Sequence, residues 1–131
     1  MFTRVILDGV LITLTVAALE IRHRNTQDVV LLRLEQDSAR GASLEGAHLR
    51  GAQMAGMDCE GANLSGANLE GADLSGANLR RADLRRATLW NADLSGADLT
   101  GADLSGAILL GARLDNVQSD EKTRWPVTYR P

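Results

Sequence analysis

Few side chains in this sequence are equipped for chemistry. There are two histidines, His23 and His48, and one cysteine, Cys59. Neither histidine stands at a spacing that would serve a Ser or Cys nucleophile, and no phosphate loop or zinc pattern occurs. His48 reads as a surface residue. Cys59 reads as a small core hydrophobe, and a lone cysteine cannot form an intramolecular disulfide. What remains is recognition. Arg80, Arg81, Arg85 and Arg86 fall within seven residues, Trp90 follows, and Leu110 lies twenty residues beyond Trp90 with Ile108 beside it. Arg and Trp are frequent binding anchors, and clustered apolar exposure marks contacts. These six residues, Arg80, Arg81, Arg85, Arg86, Trp90 and Leu110, are the candidate partner-binding patch. The plainer alternative is a solvated band offset by Asp83, Asp98, Asp103 and Glu60. No catalytic, cofactor-binding or metal-binding residue is assigned.

The patch sits in a stretch with a strict period. From Gly41 to Asp115 the chain divides into fifteen blocks of five without insertion or deletion. The second position is Ala except at Met57, and the fourth is Leu except at Met54 and Cys59. The first is Gly except at Arg81, Arg86 and Asn91. A fixed short period means a solenoid. Five fits neither an α-helix, which would walk the leucines around its axis, nor a plain strand, which would alternate their faces. A corner every five residues resolves both. Ala and Leu, two apart, then point inward together, the residue between them points out, and Gly supplies the corner. Met57 is large for an Ala site and Cys59 small for a Leu site, so volume is roughly conserved.

Blocks of the form A(D/N)LxG, repeated in register, closely resemble the pentapeptide-repeat family. The resemblance covers 75 of 131 residues. It implies an all-β solenoid, a right-handed quadrilateral β-helix with four blocks per coil. Fifteen blocks would make about four coils, stacked at about 4.8 Å. Four blocks per coil would stack every twentieth residue. The outward columns would be Gln53, Asp73, Asp93, Arg113; Asp58, Asn78, Asp98; Ser43, Asn63, Asp83, Asp103; and His48, Asn68, Thr88, Ile108. Stacked carboxylates could suggest a cation site, but Asp and Asn near turns bond their own backbone, which explains them without a ligand.

Residues 1–40 lack the repeat. Val5 to Leu19 is apolar apart from Asp8 and two threonines. Three readings are open for residues 1–25. A membrane anchor helix from Phe2 to Ile21 is favoured by length, with Arg4 able to pair with Asp8. A folded-back lid would cover the first coil, as solenoid ends require. A hairpin about Asp8-Gly9 would suit the β-branched content. As an anchor, its flanking arginines place the repeats in the cytoplasm, on the inner-membrane side. Residues 26–40 form a capping segment, read as a short helix from Thr26 or an extended lead-in, with the helix slightly favoured. After Asp115 the register decays into a tail, 116–131, in which Trp125 is expected to cover Leu109 and Leu114.

The function this supports is a non-catalytic protein-interaction scaffold, with an unidentified protein partner and an open oligomeric state. Topoisomerase (gyrase) protection by DNA mimicry, known for quinolone-resistance members of the family that the chain resembles, is the alternative. Ten acids against six arginines give residues 41–115 a net charge of only −4, which argues against mimicry. The arginine belt is likewise too small a footprint for binding nucleic acid.

Overall fold

The computed structural model describes residues 3–7, 10–14, 19–23, 26–34 and 38–131. The repeat builds itself from one local unit. The Leu44 carbonyl accepts a hydrogen bond from the Ala47 N–H at 3.1 Å, and the same bond recurs in successive blocks. It closes a four-residue turn with Gly46 third, at φ +65°. Positive φ at that place is what a type II turn demands, which is why Gly recurs every five residues.

Between corners the chain is extended, and each side pairs with the coil above and below. Asn63 bridges Ser43 and Asp83 in parallel, and Asp83 bridges Asp103. The other three columns also repeat every twenty residues, on the expected residues. Each coil therefore has four blocks. Within a rung, the fourth residue donates its N–H upward, as Leu64 does to the Asp83 carbonyl at 2.7 Å. The third donates downward, as Asn63 does to the Ala42 carbonyl at 2.8 Å. The corner N–H also points up, from Gly61 to the Arg80 carbonyl.

The core is what this pairing encloses. Every Leu of the repeat from Leu44 to Leu104 is buried, as are Met54 and Cys59, with the small alanines beside them. Met57 is partly buried against the same cluster. Ala39 is buried too, and Ser38 Oγ accepts from the Arg40 N–H, so the register starts one block before Gly41. At the far end Asp98 bridges Gln118, and Asp103 bridges Arg124, one residue out of step.

The N-terminal segment differs from the helical expectation. The described residues form strands β1 (Thr3–Leu7), β2 (Val10–Leu14), β3 (Leu19–His23) and β4 (Thr26–Leu34). Strands β1 and β2 pair antiparallel, with Leu7 opposite Val10. The hairpin is thus the reading that holds for these two strands, while the Asp8-Gly9 turn and the Arg4–Asp8 pair lie outside the described residues. The anchor helix over residues 2–21 is corrected: among the described residues no helix is long and apolar enough to cross a membrane. The helix from Thr26 is corrected as well, to β4.

The physical reason is an available edge. Strand β3 pairs antiparallel with β4 on one side and, on the other, with β5 (Ala52–Gln53), a rung of the first coil. Arg22 stands opposite Gln53 and His23 opposite Ala52. Ile21 is fully buried in the same core cluster as the repeat leucines. β-Branched residues such as Val5, Ile6, Val10 and Ile12 favour the extended state once a partner edge exists.

Candidate functional site

The outward position of each rung carries a short polar side chain for a local reason. Its Oδ1 accepts the N–H two residues on, as in Asp58 to Glu60, Asn63 to Ser65 and Asp93 to Ser95, at 2.9 to 3.1 Å. These Asx turns fix the corner that follows. Among the described residues no group of three or more His, Cys, Asp or Glu is placed to hold a metal ion. Burial, with the Asp58 charge second, pushes the Cys59 thiol up to about 12. It is protonated at neutral pH and enclosed, which suits packing and not nucleophilic attack.

The arginine belt is largely paired. Arg85 grips Asp83 with both ends of its guanidinium, Nε to Oδ1 at 2.9 Å and Nη2 to Oδ2 at 2.6 Å. Arg80 reaches Asp98 at 3.3 Å, and Arg81 pairs with Glu60, which also holds Arg40 at 3.0 Å. The Arg81 hydrogen bond, against the cost of desolvation, holds the Glu60 carboxyl below its ordinary value. The Arg85 hydrogen bond does the same for Asp83. Asp98, Asp83 and Glu60 thus offset the belt, as the sequence suggested, while Asp103 makes no ion pair with an arginine among the described residues but acts on Arg85 through its charge. Arg86 is the exception within the belt: it makes no ion pair among the described residues.

Two of these arginines also stand in unusual backbone. Arg81 and Arg86 have φ of 56° and 57°, and Asn91 has 55°. Each takes a corner that Gly fills elsewhere, and left-handed backbone costs an Arg about 1–2 kcal/mol. The sequence marks the exchange, but only the structure places the side chains. Each lies across the Gly of the coil above: Arg81 over Gly101, Arg86 over Gly106, Asn91 over Gly111. A Cβ on Gly106 would sit 3.2 Å from Arg86 Cγ. Side chains at a corner therefore need a bare neighbour above.

The apolar part of the patch lies on the next face round: Arg86 and Trp90 stand at its two ends, and Arg80 and Arg81 at the corner one face further back. Trp90 and Leu110 occupy the same place in successive coils, because Gly71 bonds the Trp90 carbonyl and Asn91 the Leu110 carbonyl. Trp90 is 47% exposed, Ile108 51% and Leu110 69%. Sequence reasoning missed what adjoins them. A groove of about 580 Å³ runs between residues 106–111 of the last coil and residues 126–129 of the tail. Ile108, Leu110, Val127 and Tyr129 line it. Trp125 is half-buried against the core, as are Leu109 and Leu114, and its ring meets Tyr129 at 4.8 Å between centroids.

Residues 42–81 and 82–117 match Pentapeptide repeats, in eight copies. The chain belongs to the pentapeptide-repeat family. Pentapeptide-repeat proteins fold as right-handed quadrilateral β-helices, which accords with four rung columns at twenty-residue spacing. Among solved structures, the pentapeptide repeat protein alr5209 from Nostoc Pcc 7120 is 42% identical, with a TM-score of 0.68 over 70% of this chain and 75% of that one. The pentapeptide repeat protein Rfr23 from the cyanobacterium Cyanothece 51142 is 32% identical over 81% and 78%, with a TM-score of 0.48. QnrB1, a plasmid-mediated fluoroquinolone resistance protein, is 21% identical over 63% and 57%, with a TM-score of 0.35. No curated protein matches the chain. Pentapeptide-repeat proteins commonly mediate protein–protein interactions, so the exposed sides of this rod are where a site is sought.

Proposed function

We propose that this chain is a non-catalytic scaffold that binds a protein partner on the adjoining faces of the rod that carry Arg80, Arg81, Arg85, Arg86, Trp90 and Leu110. The observation that carries the reading is the exposure of Trp90, Ile108 and Leu110 on adjoining rungs. The fifth positions of the other blocks, which match Trp90 and Leu110, hold Ser, Thr, Glu, Asp or Arg, such as Ser75, Glu70 and Arg50, apart from Ala55. An aromatic ring beside guanidinium groups on a rigid surface binds with little loss of freedom. The buried thiol of Cys59 suits a reducing compartment, and we place the protein in the cytoplasm.

DNA mimicry by the rod finds less support. Its acids are interleaved with arginines, in pairs such as Arg50–Glu70 and Arg113–Asp93, and form no continuous negative track. A gyrase supercoiling assay with quinolone is expected to find no protection. The scaffold reading is tested by affinity capture with the Trp90→Ser, Leu110→Ser double variant, checked first for unchanged thermal unfolding. Capture of every partner at the wild-type level would remove the patch.

A further inference from the structure

The rod's last coil is unfinished on two of its sides. In the regular ladder a corner N–H and a fourth-position N–H donate upward, and a second-position carbonyl accepts from above. Gly96 and Leu99 still find their acceptors, at Asp115 and Gln118, and Leu104 finds Arg124. Beyond that the rungs stop. Among the described residues, the N–H groups of Gly106, Leu109, Gly111 and Leu114 and the carbonyls of Ala107 and Ala112 have no backbone partner above them. The side from Gly106 to Gly111 thus offers donor, acceptor, donor, donor: the Ala107 carbonyl and Leu109 N–H on the extended rung, and the Gly106 and Gly111 N–H groups at the corners that bound it. The tail passes near without filling that place. Residues 126–129 stand across the groove of about 580 Å³, with Val127 97% exposed.

The surroundings state what sort of strand would fit. Ile108 and Leu110 offer an apolar wall, continued below by Trp90. Arg86 lies across Gly106, the corner at one end of this edge, and among the described residues is the belt arginine that makes no ion pair, its charge acting on Asp83 only from a distance. Asn91 lies across Gly111 at the other end. A ladder of open backbone groups selects an extended backbone, the wall selects apolar side chains, and the Arg86 guanidinium, whose hydrogen-bond donors no carboxylate takes among the described residues, selects one.

We infer that the open edge at Gly106–Gly111 takes up an extended peptide segment of a partner protein as an added β-strand, with alternating apolar residues and a carboxylate placed against Arg86. This rests on the scaffold reading and deepens it: the Trp90 and Leu110 side is the flank of the site, and the unfinished coil is its floor. Such augmentation draws affinity from main-chain hydrogen bonds and specificity from the flanking side chains.

The test uses the full chain and a blocked octapeptide, acetyl-Glu-Val-Thr-Val-Lys-Val-Thr-Val-amide. Amide exchange is followed at Leu109 and Gly111 by nuclear magnetic resonance. Binding is expected to slow exchange at both, leaving Leu64 and Leu74 unchanged. A strand pairs along one edge, so N-methylation of alternate residues on one edge should weaken binding at least about thirtyfold, and on the other hardly at all. Arg86→Ala should weaken the Glu peptide by about tenfold and its Gln counterpart little. Unchanged exchange at Leu109 with about 1 mM peptide, or equal sensitivity to both methylated series, overturns the strand addition. That result would leave the capture test of Trp90 and Leu110 standing. Loss of the capture effect with protection at Leu109 intact would do the reverse.

Discussion

The two ends of this rod solve the same problem in different materials. Any solenoid end exposes core and unpaired strand. At the N-terminal end the chain lays strand β3 along the rung at β5 and seats Ile21 among the core leucines. His23 covers Gly51, one corner of that coil. Backbone closes backbone there. At the C-terminal end the ladder is finished by side chains. The Gly101 N–H, which in a regular coil would meet a carbonyl, instead donates to Asp120 Oδ1 at 3.0 Å. That same oxygen accepts the N–H groups of Lys122 and Thr123 at 3.1 Å. The buried Thr123 hydroxyl donates to the Leu99 carbonyl at 2.9 Å and accepts from the Asp120 N–H at 3.0 Å. This hook serves one corner and leaves residues 106–115 open. Among the described residues, one end has a rung closed by an added strand, and the other leaves its last rungs available.

The largest effect should separate the rod's middle from its open end. Leu84 is fully buried between coils, whereas Leu114 is only half-buried. Leu84→Ala should cost about 3–4 kcal/mol and Leu114→Ala less than about 2 kcal/mol, read from chemical denaturation. Equal costs would mean that the open end is covered in solution. Next comes the sealed end: Ile21→Ala should cost about 2–4 kcal/mol, because the side chain is enclosed like the central leucines. A loss under about 0.5 kcal/mol would show that β3 does not close the first coil.

These differences bear on what could be read from the chain beforehand. The rung columns were legible because period five fixes what points inward, and the four blocks per coil that the pentapeptide-repeat resemblance implies fix what stacks on what. Asp83 over Asn63 and Asp103 over Asp83 follow from counting. The N-terminal strands were not legible, because an apolar run such as Val5 to Leu19 satisfies helix and strand alike. The deciding partner, Ala52–Gln53, stands about thirty residues downstream of β3. Part of the candidate site was also legible: the belt, Trp90 and Leu110 all interrupt the repeat. The open edge was hidden, because the one-residue slip between Asp103 and Arg124 depends on the Asp120 hook. No local periodicity announces it. The left-handed corners were half visible, since three blocks in a row lack their Gly.

Smaller changes should sharpen the contrast between caps. Thr123→Val removes the hydroxyl that ties the hook to Leu99 and should cost about 1–2 kcal/mol. It should also speed amide exchange at Gly101 more than at Leu64, since only the former depends on the hook. Arg86→Gly should act in the opposite direction. It relieves a left-handed corner at φ 57° and sacrifices no ion pair among the described residues, only a distant attraction to Asp83, so a gain of about 1 kcal/mol is expected. A loss on this substitution would mean that the Arg86 stem stabilises the coil above through its packing on Gly106.

The smallest effect is an acid one, and it too distinguishes the ends. Burial raises the Asp120 carboxyl, but the Gly101, Lys122 and Thr123 N–H groups and the Thr123 hydroxyl outweigh it, so its folded value lies below the ordinary one. A carboxylate with a lowered folded pKa contributes stability above its unfolded value, about 3.9 for Asp, and that contribution fades as pH falls through the folded value. Thermal unfolding of the wild type should therefore drop more steeply below about pH 4 than that of Asp120→Asn, which has no carboxylate to protonate there. Glu60 and Asp83 lie away from the hook and are lowered in the same direction, so some acid sensitivity persists in the variant. What Asp120→Asn should lose is the share reported by amide exchange at Gly101. Exchange at β5, whose edge is closed by backbone alone, should keep the same acid response in both proteins. If the two proteins respond identically at Gly101, the C-terminal hook does not depend on its charge.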